Sequence, residues 1–273
     1  MSQYTVAITL VNYNTRALSL FCLKKIYQAQ IQVPFQIIFL DNNSVDGKET
    51  ILDIKEQFPE VITIAESKNT GYSKGVNTCV ERAEAKYIFN LNSDAVLESG
   101  SVEKMITYLE KHPDIGMLAP QLLNVDGSIQ ESCYRFITPR IALYRRTPLG
   151  KLPQAQKLLS YFRMHDADLT KIQDIDWALG AAIMFPKKVS EKVNHLDEDM
   201  FLYLSDTHFS WKLWYHGYRV VYFPRVQLYH YHRQSSRQQP LLSKILFNRT
   251  YRLHIRDGLT YFKKVHGNYN PRS

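Results

Sequence analysis

The sequence predicts an α/β domain built on a parallel, doubly wound sheet. Short apolar segments at about 4–11, 36–40 and 61–64 alternate with segments of helical pattern, and this alternation is typical of parallel sheets covered by helices on both faces. Each strand segment also ends in a turn rich in Asn, Asp or Gly. Ligands of this fold class bind in the crevice outside the carboxyl ends of the strands, so these turns are the predicted site.

The remaining elements follow from residue patterns along the chain. Helices are predicted over about 16–30, 48–58, 73–84, 99–111 and 207–216, and further strands at about 87–91, 116–120 and 218–223. Residues 134–171 are basic, punctuated by prolines and weakly periodic. We interpret this segment as an excursion over the site, with one helix from Gln154 to Arg163.

The composition narrows the class of partner. The chain has 273 residues and a formal net charge of +8, which suits nucleotide phosphates, nucleic acid or an acidic membrane surface. Its three cysteines are widely spaced and form no metal-binding or disulfide pattern, so a reducing cytoplasm is expected. No apolar run approaches the roughly 18 residues needed to span a bilayer, and no signal peptide is recognisable. We therefore do not expect an integral membrane protein.

Residues 233–264 differ in character from the rest of the chain. They interleave lysine and arginine with leucine, isoleucine and phenylalanine, a pattern that predicts one or two basic amphipathic helices. Two compatible interpretations remain open: contact with a membrane surface, or packing on the main domain with a solvated basic face. We predict a main domain of residues 1–232 and a helical C-terminal segment of residues 233–273.

The turn Asn92-Ser93-Asp94 follows the strand predicted at 87–91. A carboxylate at a strand end, facing the crevice, is placed to hold a divalent cation and through it a phosphate. The same residue types are common turn formers, so a purely structural role is the alternative. The glycines form neither a G-x-G-x-x-G motif after the first strand nor a P-loop, which argues against a dinucleotide-binding or P-loop fold.

Five ordered blocks of sequence together resemble one known family. The blocks are Val11–Asn14, Asp41–Gly47, Asn69–Tyr72, Asn90–Asp94 and the stretch 120–128. In this order they resemble the inverting, nucleotide-sugar-dependent glycosyltransferases of family 2, and most of all the bacterial rhamnosyltransferase-like branch. The likeness runs from about residue 5 to residue 235. It implies the GT-A fold, with a single Rossmann-like, mostly parallel sheet flanked by helices and a C-terminal helical extension.

The resemblance implies that residues at the strand ends bind a nucleotide-sugar donor. The turn of Val11–Asn14 would lie behind the nucleoside, and Asp41 would contact the base or ribose. The block Asn69–Tyr72 would close around the nucleotide. The implied donor-binding residues are Asn12, Asn14, Asp41, Asn43, Asn69, Gly71, Asn77, Asn92, Ser93 and Asp94. Where the family carries its D-x-D motif, Asn92 takes the first acidic position, so Asp94 is the carboxylate expected to bind Mg²⁺ or Mn²⁺.

The later blocks that resemble the family imply an acceptor side and a catalytic base. Trp177, Gly180 and Asp199 fall in acceptor-side segments. Asp206 matches the aspartate that removes the proton of the acceptor hydroxyl, the role of a general base. Ser205 stands where the family carries a glutamate before this aspartate.

Simpler roles are open for several of these residues. His230 falls where many family members carry a histidine near the metal and the diphosphate, but a buried, hydrogen-bonded histidine is the alternative. Asp206 opens the helix predicted at 207–216, so it is also a candidate N-cap. Glu198 and Asp199 are the other candidate bases, and Trp177 is equally a candidate core residue.

The resemblance implies an enzyme that transfers L-rhamnose from dTDP-L-rhamnose to a cell-envelope glycan, on a lipid-linked or lipopolysaccharide-like acceptor. A hexosyltransferase that uses a UDP-sugar is the alternative within the family. The basic C-terminal segment would then contact the cytoplasmic face of the membrane, and no nucleic acid is expected as a partner. A nucleotidyltransferase would carry a glycine-rich loop with a basic residue after the first strand, which this chain lacks. A non-catalytic binder of anionic surfaces is the third class, and it would not need Asp94 or Asp206.

Overall fold

The computed structural model describes residues 3–231 and 249–272 and confirms the α/β fold. Its strands are β1 (Tyr4–Asn12), β2 (Phe35–Asp41), β3 (Ile62–Ala65), β4 (Ala85–Leu91), β5 (Ala95–Val96), β6 (Ile115–Leu123), β7 (Cys133–Tyr134), β8 (Gln173–Asp174), β9 (Trp177–Ala178), β10 (Ala182–Pro186) and β11 (Arg219–His230). Its helices are α1 (Arg16–Gln28), α2 (Gly47–Gln57), α3 (Tyr72–Arg82), α4 (Ser101–Lys111), α5 (Pro139–Arg146), α6 (Pro153–Phe162), α7 (Lys187–Lys192), α8 (Ser205–Tyr215) and α9 (Arg249–Lys264). A short 3-10 turn separates α5 from α6.

The described strands form one nine-stranded sheet and a separate two-stranded pair, β7–β9. The order in the large sheet is β3-β2-β1-β4-β10-β6-β11-β5, and β8 pairs with β11. Pairing is parallel for β1 with β2 and β4, for β2 with β3 and for β6 with β11, whereas β10 runs antiparallel between β4 and β6. The sheet is therefore mixed and mostly parallel, not parallel throughout.

The antiparallel strand β10 brings Gly180 to the carboxyl end of β4. Ala182 pairs with Leu91, and the backbone N–H of Asn92 donates to the carbonyl of Ala181 at 2.8 Å. The turn before β10 therefore lies beside the turn after β4. The edge of the sheet where ligands were expected combines the ends of parallel strands with the beginning of one antiparallel strand.

Apolar side chains fill both faces of the sheet. In β1, Val6, Ile8 and Leu10 belong to one buried cluster and Ala7 to the other, because successive side chains of a strand point to opposite faces. Helices α1, α2 and α4 cover the first face, and α3 and α8 cover the second. The three cysteines are buried free thiols.

A third apolar cluster is built from the excursion and α9. Helix α6 confirms the helix predicted from Gln154 to Arg163. Phe162 and Trp177 share this cluster with Tyr261 of α9 and with Val265 directly after it, so α9 packs on the rest of the described chain. Residues 232–248, and with them the predicted boundary between 232 and 233, lie outside the described residues. Neither described stretch contains a helix with the length and apolar character needed to cross a bilayer.

Strand β11 is longer than the predicted strand at 218–223 and carries His230 to the site. Pro224 predicts a strand end, because proline cannot donate to a ladder. The structure accommodates it at a register shift between Phe223 and Gln227, after which Gln227 pairs with Gln121 of β6. The strand then continues until His230 pairs with Ala95 of β5. This bulge is the reason that His230 lies beside the turn after β4.

Candidate active site

A cavity of about 430 Å³ opens at the carboxyl ends of β1, β2 and β4, and we call it the strand-end cavity. It is lined by Val11, Tyr13, Thr15, Leu18, Asn42, Asn69, Gly71, Tyr72, Asn92, Ser93, Asp94, Phe201, Leu202, Thr250 and Leu253. Five of these residues were predicted from the sequence: Asn69, Gly71, Asn92, Ser93 and Asp94. The structure thus brings together turns that are far apart along the chain.

Asn12 and Asp41 bond to each other behind this cavity. The Asn12 side-chain amide donates to Asp41 Oδ1 at 2.7 Å, and Asn12 Oδ1 accepts from the Thr15 hydroxyl at 2.6 Å. Asp41 Oδ2 accepts the backbone N–H of Ser44 at 2.9 Å. Both side chains are buried, so they hold the first two strand-end turns in register. The predicted contact of Asp41 with a nucleotide stays a prediction.

Asn14 and Asn43 lie in the same pair of turns but on their exposed side. Asn14 Oδ1 accepts the backbone N–H of Val45 at 2.9 Å. Asn14 and Asn43 both have positive φ, +58° and +61°, which asparagine tolerates better than most residues. The backbone conformation of these turns therefore explains why asparagine occupies both positions.

The third strand-end turn is fastened by Asn42, which the sequence did not single out. Asn42 donates to the carbonyl of Gly71 at 3.0 Å and accepts from the backbone N–H of Thr70 at 2.9 Å. Gly71 has φ +92°, and a Cβ there would lie 2.6 Å from the carbonyl oxygen of Phe201. The next residue, Tyr72, donates its backbone N–H to that same oxygen at 2.6 Å. Only glycine allows this close approach.

Asn77 and Asp199 lie away from the strand-end cavity, on the wall of a separate cavity of about 280 Å³. The Asn77 amide donates to the carbonyl of Leu196 at 2.9 Å and accepts the backbone N–H of the same residue at 3.1 Å. The Asp199 side chain is 72% exposed and forms an ion pair with Lys264 at 2.7 Å. Glu198 pairs with Lys74 at 3.1 Å. The structure gives these residues structural partners and does not bring them to Asp206.

Asp94 and His230 face each other across the end of the sheet. Asp94 Oδ1 lies 3.2 Å from His230 Nε2, and the backbone N–H of Tyr231 donates to the Asp94 carbonyl at 2.8 Å. On its other side, His230 Nδ1 lies 2.7 Å from Gln130 Oε1. The Gln130 amide nitrogen donates to Asn124 at 3.0 Å, so Gln130 Oε1 is the acceptor and Nδ1 carries the hydrogen. In the neutral imidazole, the Nε2 lone pair then points toward Asp94.

This pair fits a divalent cation. Mg²⁺ and Mn²⁺ take ligands at about 2.1 Å, and adjacent ligands of an octahedral ion lie about 3 Å apart, close to the 3.2 Å between Asp94 Oδ1 and His230 Nε2. Among residues 3–231 and 249–272, no group of three or more His, Cys, Asp and Glu side chains could hold a metal. Asp94 and His230 would be protein ligands of an ion bound here.

Asp206 begins helix α8 with Ser205, after Leu204 in the left-handed conformation at φ +62°. Its Oδ2 accepts the backbone N–H of Gly180 at 3.0 Å, and its Oδ1 accepts the backbone N–H of Thr207 at 2.7 Å. Burial raises the pKa of Asp206, and the hydrogen bonds from Gly180 and Thr207 oppose that rise. A carboxylate with a raised pKa is a stronger proton acceptor while it remains ionised.

Gly180 connects Asp206 to the strand-end cavity. Its N–H donates to Asp206, while its carbonyl accepts the side-chain amide of Asn90 at 2.7 Å and the Tyr72 hydroxyl at 2.9 Å. A Cβ at position 180 would lie 3.0 Å from the Tyr72 hydroxyl oxygen. Asn90 and Tyr72 were not predicted as site residues. An asparagine inside an otherwise apolar strand is the signal that could have identified Asn90.

Asp206 lines a third cavity, of about 610 Å³, which we call the aromatic cavity. It is lined by Asn124, Ile129, Gln130, Glu131, Tyr134, Arg145, Arg163, Trp177, Leu179, Leu202, Tyr203, Leu204, Asp206 and His254. Trp177 is 5% exposed and stacks on Tyr134 with ring centroids 4.6 Å apart, while its Nε1 donates to the carbonyl of Arg135 at 2.9 Å. Trp177 is therefore both a core residue and part of the cavity wall.

Helix α9 fixes the wall between the two cavities. Leu202 lines both of them. The buried Asp257 accepts the backbone N–H groups of Leu202 and Tyr203 through one oxygen, each at 2.9 Å. His254 stacks on the Tyr203 ring at 4.1 Å. No sequence pattern indicated that this helix reaches the site, because Asp257 is an ordinary acidic residue within a basic amphipathic pattern.

Comparison with known proteins identifies the family of this chain. The sequence profile described as "Glycosyl transferase family 2" matches residues 8–163, more than half of the chain. An N-acetylglucosaminyl-diphospho-decaprenol L-rhamnosyltransferase of Mycobacterium tuberculosis is 22% identical over 218 residues, 76% of this chain and 70% of that protein. A poly-beta-1,6-N-acetyl-D-glucosamine synthase of Staphylococcus epidermidis is 25% identical over 195 residues, 70% of this chain and 41% of that protein.

Solved structures share the fold at low sequence identity. The crystal structure of GalNAc-T7 with UDP, GalNAc and Mn²⁺ superposes with a TM-score of 0.65 at 16% identity, covering 96% of this chain and 48% of that one. The structure of S. aureus TarS 1–349 in complex with UDP-GlcNAc superposes with a TM-score of 0.57 at 14% identity, covering 85% of this chain and 60% of that one. This chain spans about half to three fifths of the length of these two chains, and it has their GT-A fold. With the match to the family profile, the chain belongs to glycosyl transferase family 2 and is a glycosyltransferase.

Proposed function

We propose that this glycosyltransferase moves L-rhamnose from dTDP-L-rhamnose to a lipid-linked or lipopolysaccharide-like acceptor of the cell envelope, with inversion at the sugar carbon. The mycobacterial relative supports the choice of sugar, since it is an L-rhamnosyltransferase that acts on N-acetylglucosaminyl-diphospho-decaprenol. The strand-end cavity takes the donor and the aromatic cavity takes the acceptor.

One observation carries this proposal: two carboxylates lie in two adjoining cavities. Asp94 lines the strand-end cavity, Asp206 lines the aromatic cavity, and Leu202 belongs to both. Inversion by direct displacement requires the leaving group and the base to lie on opposite sides of the reacting carbon. Two carboxylates in separate, adjoining cavities suit that requirement, whereas a non-catalytic binder of anionic surfaces needs neither of them.

Asp206 acts as the general base. As the acceptor oxygen forms its bond to the sugar carbon, the bond from that carbon to the donor phosphate oxygen breaks, and its electron pair leaves with the nucleotide diphosphate. The acceptor proton passes to Asp206, whose carboxylate is kept oriented by the N–H groups of Gly180 and Thr207. Gly180 in turn is fixed by Asn90 and Tyr72. Positioned proton transfer of this kind contributes about 10²–10⁴ in rate.

Asp94 and His230 would hold a divalent cation, Mg²⁺ or Mn²⁺, which supplies Lewis-acid stabilisation of the charge on the departing diphosphate. With these two protein ligands, affinity for the ion alone is expected to be modest and to rise with the donor. Gln130 orients His230 by accepting its Nδ1 hydrogen, as outer partners of metal-binding histidines do.

A UDP-hexose is the alternative donor. The structural relatives were solved with UDP and GalNAc or with UDP-GlcNAc, and the wall residues of the strand-end cavity do not distinguish thymine from uracil. The decisive experiment incubates the purified protein with a panel of dTDP- and UDP-sugars and Mn²⁺ or Mg²⁺. Release of nucleotide diphosphate is measured with and without acceptor lipid. We expect the highest rate with dTDP-L-rhamnose, and a higher rate with a UDP-hexose would replace that donor assignment.

Peripheral contact with the inner membrane surface completes the proposal. The exposed face of α9 carries Arg252, Ile255, Arg256, Leu259 and Lys263, and Leu259 is 68% exposed. Aliphatic and basic side chains on one helix face suit the interface of an anionic bilayer. We expect co-sedimentation with vesicles containing anionic lipid and not with neutral vesicles. Leu259→Asp should reduce it severalfold, and unchanged sedimentation of that variant would contradict the role of α9.

A further inference from the structure

The wall of the aromatic cavity carries an arginine without a carboxylate partner. Arg145, near the end of α5, lines this cavity, and its guanidinium lies 5.1 Å from the centroid of the Phe162 ring. Within the described parts of the chain, no carboxylate oxygen lies within 4.0 Å of that guanidinium. Arg135 of the excursion pairs with Asp166 at 2.6 Å, whereas Arg140 and Arg146 lie against tyrosine rings and do not line this cavity. A cation that faces a cavity without a counter-ion is stabilised by an anion bound there.

A second arginine faces the same cavity. Arg163 lies 3.7 Å from Glu131, whose other oxygen pairs with His165 at 2.8 Å, so Glu131 is shared between two partners. Arg145 is exposed and Arg163 is half-buried, and both line the aromatic cavity. An anion bound in this cavity would therefore meet two guanidinium groups on its wall.

The rest of the cavity supports an anion at this position. Burial, with repulsion from Arg146 and Arg145, lowers the pKa of His254 to about 3. The imidazole is therefore neutral at pH 7, and the positive potential comes from the arginines. Tyr134 and Trp177 supply a stacked aromatic wall beside them, a surface on which the apolar face of a sugar ring packs well. Sugar and anion are thus accommodated in one cavity.

We propose that Arg145, together with Arg163, binds a phosphate or diphosphate group that the acceptor carries next to its sugar. This inference rests on the proposed function and specifies the chemical class of its acceptor. A phosphate group has enough oxygens to accept hydrogen bonds from two guanidinium groups at once, whereas one guanidinium group already satisfies a carboxylate. The acceptor is therefore a glycosyl phosphate or diphosphate, and a neutral glycoside would bind more weakly.

Calorimetric titration with inorganic pyrophosphate tests the site directly. The titration is run without nucleotide and in EDTA, because Asp94 without a metal disfavours anions in the strand-end cavity. We expect saturable binding by the unmodified protein and a loss of about tenfold or more in affinity for Arg145→Gln. The affinity of Arg145→Lys for pyrophosphate should lie between those of the unmodified protein and Arg145→Gln. Lysine keeps the positive charge and loses the bidentate geometry of the guanidinium. Arg140→Gln is the matched control, because Arg140 lies on the same helix against the Tyr144 ring and does not line the aromatic cavity.

Three outcomes would overturn the proposal. The first is that the unmodified protein shows no saturable binding at millimolar pyrophosphate. The second is that Arg145→Gln binds pyrophosphate as tightly as the Arg140→Gln control does, and the third is that glucuronate binds as tightly as pyrophosphate. A parallel measurement of metal-dependent hydrolysis of the nucleotide-sugar without acceptor separates this inference from the proposed function. We expect the unmodified protein and the Arg140→Gln control to hydrolyse it at the same rate. A protein that binds pyrophosphate through Arg145 and hydrolyses no nucleotide-sugar would keep the anion site and remove the proposed function.

Discussion

The strand-end cavity and the aromatic cavity are neighbours, but the chain builds them in different ways. The strand-end cavity is formed mainly by turns that directly follow β1, β2 and β4 and by the turn before α3. The aromatic cavity takes its wall from the excursion, from the segments around Trp177 and Leu204, and from His254 of α9. The first is specified mainly by local turn chemistry and is completed by residues 201–202 and by Thr250 and Leu253 of α9. The second depends throughout on the packing of distant segments.

This difference predicts how each cavity responds to substitution. A change at the strand ends should alter donor and metal binding and leave the aromatic cavity intact. A change at Asp206 should abolish transfer and leave donor binding intact. A change in the shared wall, formed by residues 201–204 and held by Gly71 and Asp257, should affect both cavities. The predictions below run from the largest effect to the smallest.

Asp206→Asn should lower the rate of sugar transfer by about 10³-fold, because it removes the general base. Binding of the nucleotide, measured by calorimetry with Mn²⁺, should stay within about twofold. Asp168→Asn, at an exposed carboxylate of the excursion, is the control and should be fully active. Substantial transfer by the Asp206→Asn variant would falsify the assignment of the base.

The pH dependence of the same reaction follows from the raised pKa of Asp206. The base must be ionised, so the rate should fall as the pH is lowered through that pKa. The acid limb of the pH–rate profile should therefore lie above the ordinary range of an aspartate carboxyl. The residual activity of Asp206→Asn should lack this limb, and a limb of the same shape in that variant would point to another group.

Gly71→Ala tests the shared wall from the donor side. Gly71 has φ +92°, and an added Cβ would lie 2.6 Å from the Phe201 carbonyl oxygen, so we expect a loss of about 3 kcal/mol in the free energy of unfolding. Gly100→Ala is a matched control, since φ there is +74° with no heavy atom within 4 Å of the added Cβ. It should cost about 1 kcal/mol from backbone strain alone. Equal costs in urea denaturation would show that the contact with Phe201 is unimportant.

Asp94→Ala should lower metal-stimulated transfer by about 100-fold, because it removes the carboxylate ligand. The affinity for nucleotide should fall in Mn²⁺ and remain unchanged in EDTA. The nucleotide affinities in Mn²⁺ and in EDTA are both measured by calorimetric titration. Binding of pyrophosphate at Arg145 should be unaffected. Equal loss of nucleotide affinity in Mn²⁺ and in EDTA would indicate that Asp94 acts on the fold and not through a metal.

Asp257→Ala should affect both cavities at once. It leaves the N–H groups of Leu202 and Tyr203 without their acceptor, which costs about 2 kcal/mol of stability. Transfer should fall about tenfold, with a change in the KM of both substrates. Asp257→Asn keeps one oxygen and should recover most of the loss. An effect confined to one substrate would show that the wall is not shared in function.

The sequence was a good guide where structure is local. The strand and helix pattern, the turn residues at the strand ends and the helix of the excursion could all be identified from apolar periodicity and turn chemistry. The position of β10 could not, because an antiparallel insertion is set by pairing with β4 and β6 and not by its own five residues. The strand predicted at 218–223 was too short for a similar reason, since the register shift through which β11 continues depends on the neighbouring β6.

The candidate site divides along the same line. Asp94, Ser93, Asn92, Gly71 and Asn69 could be named from the sequence, since turns after parallel strands meet at one edge of the sheet. Asn77 and Asp199 were named by the same likeness, and the structure shows them bonded to Leu196 and Lys264 at a distance from Asp206's cavity. Membership of a motif does not distinguish a side chain that faces a ligand from one that fastens the loop.

By itself, the sequence determined the α/β class, the family and the turns that form the strand-end cavity, because these depend on periodicity and on residue types at short spacing. Only the tertiary structure decided that Gln130 orients His230, that the Gly180 peptide joins Asp206 to Tyr72, and that Asp257 of α9 holds the wall between the cavities. Each of these contacts joins residues that are distant in the chain. Their geometry follows from packing of the whole core, which no local pattern encodes.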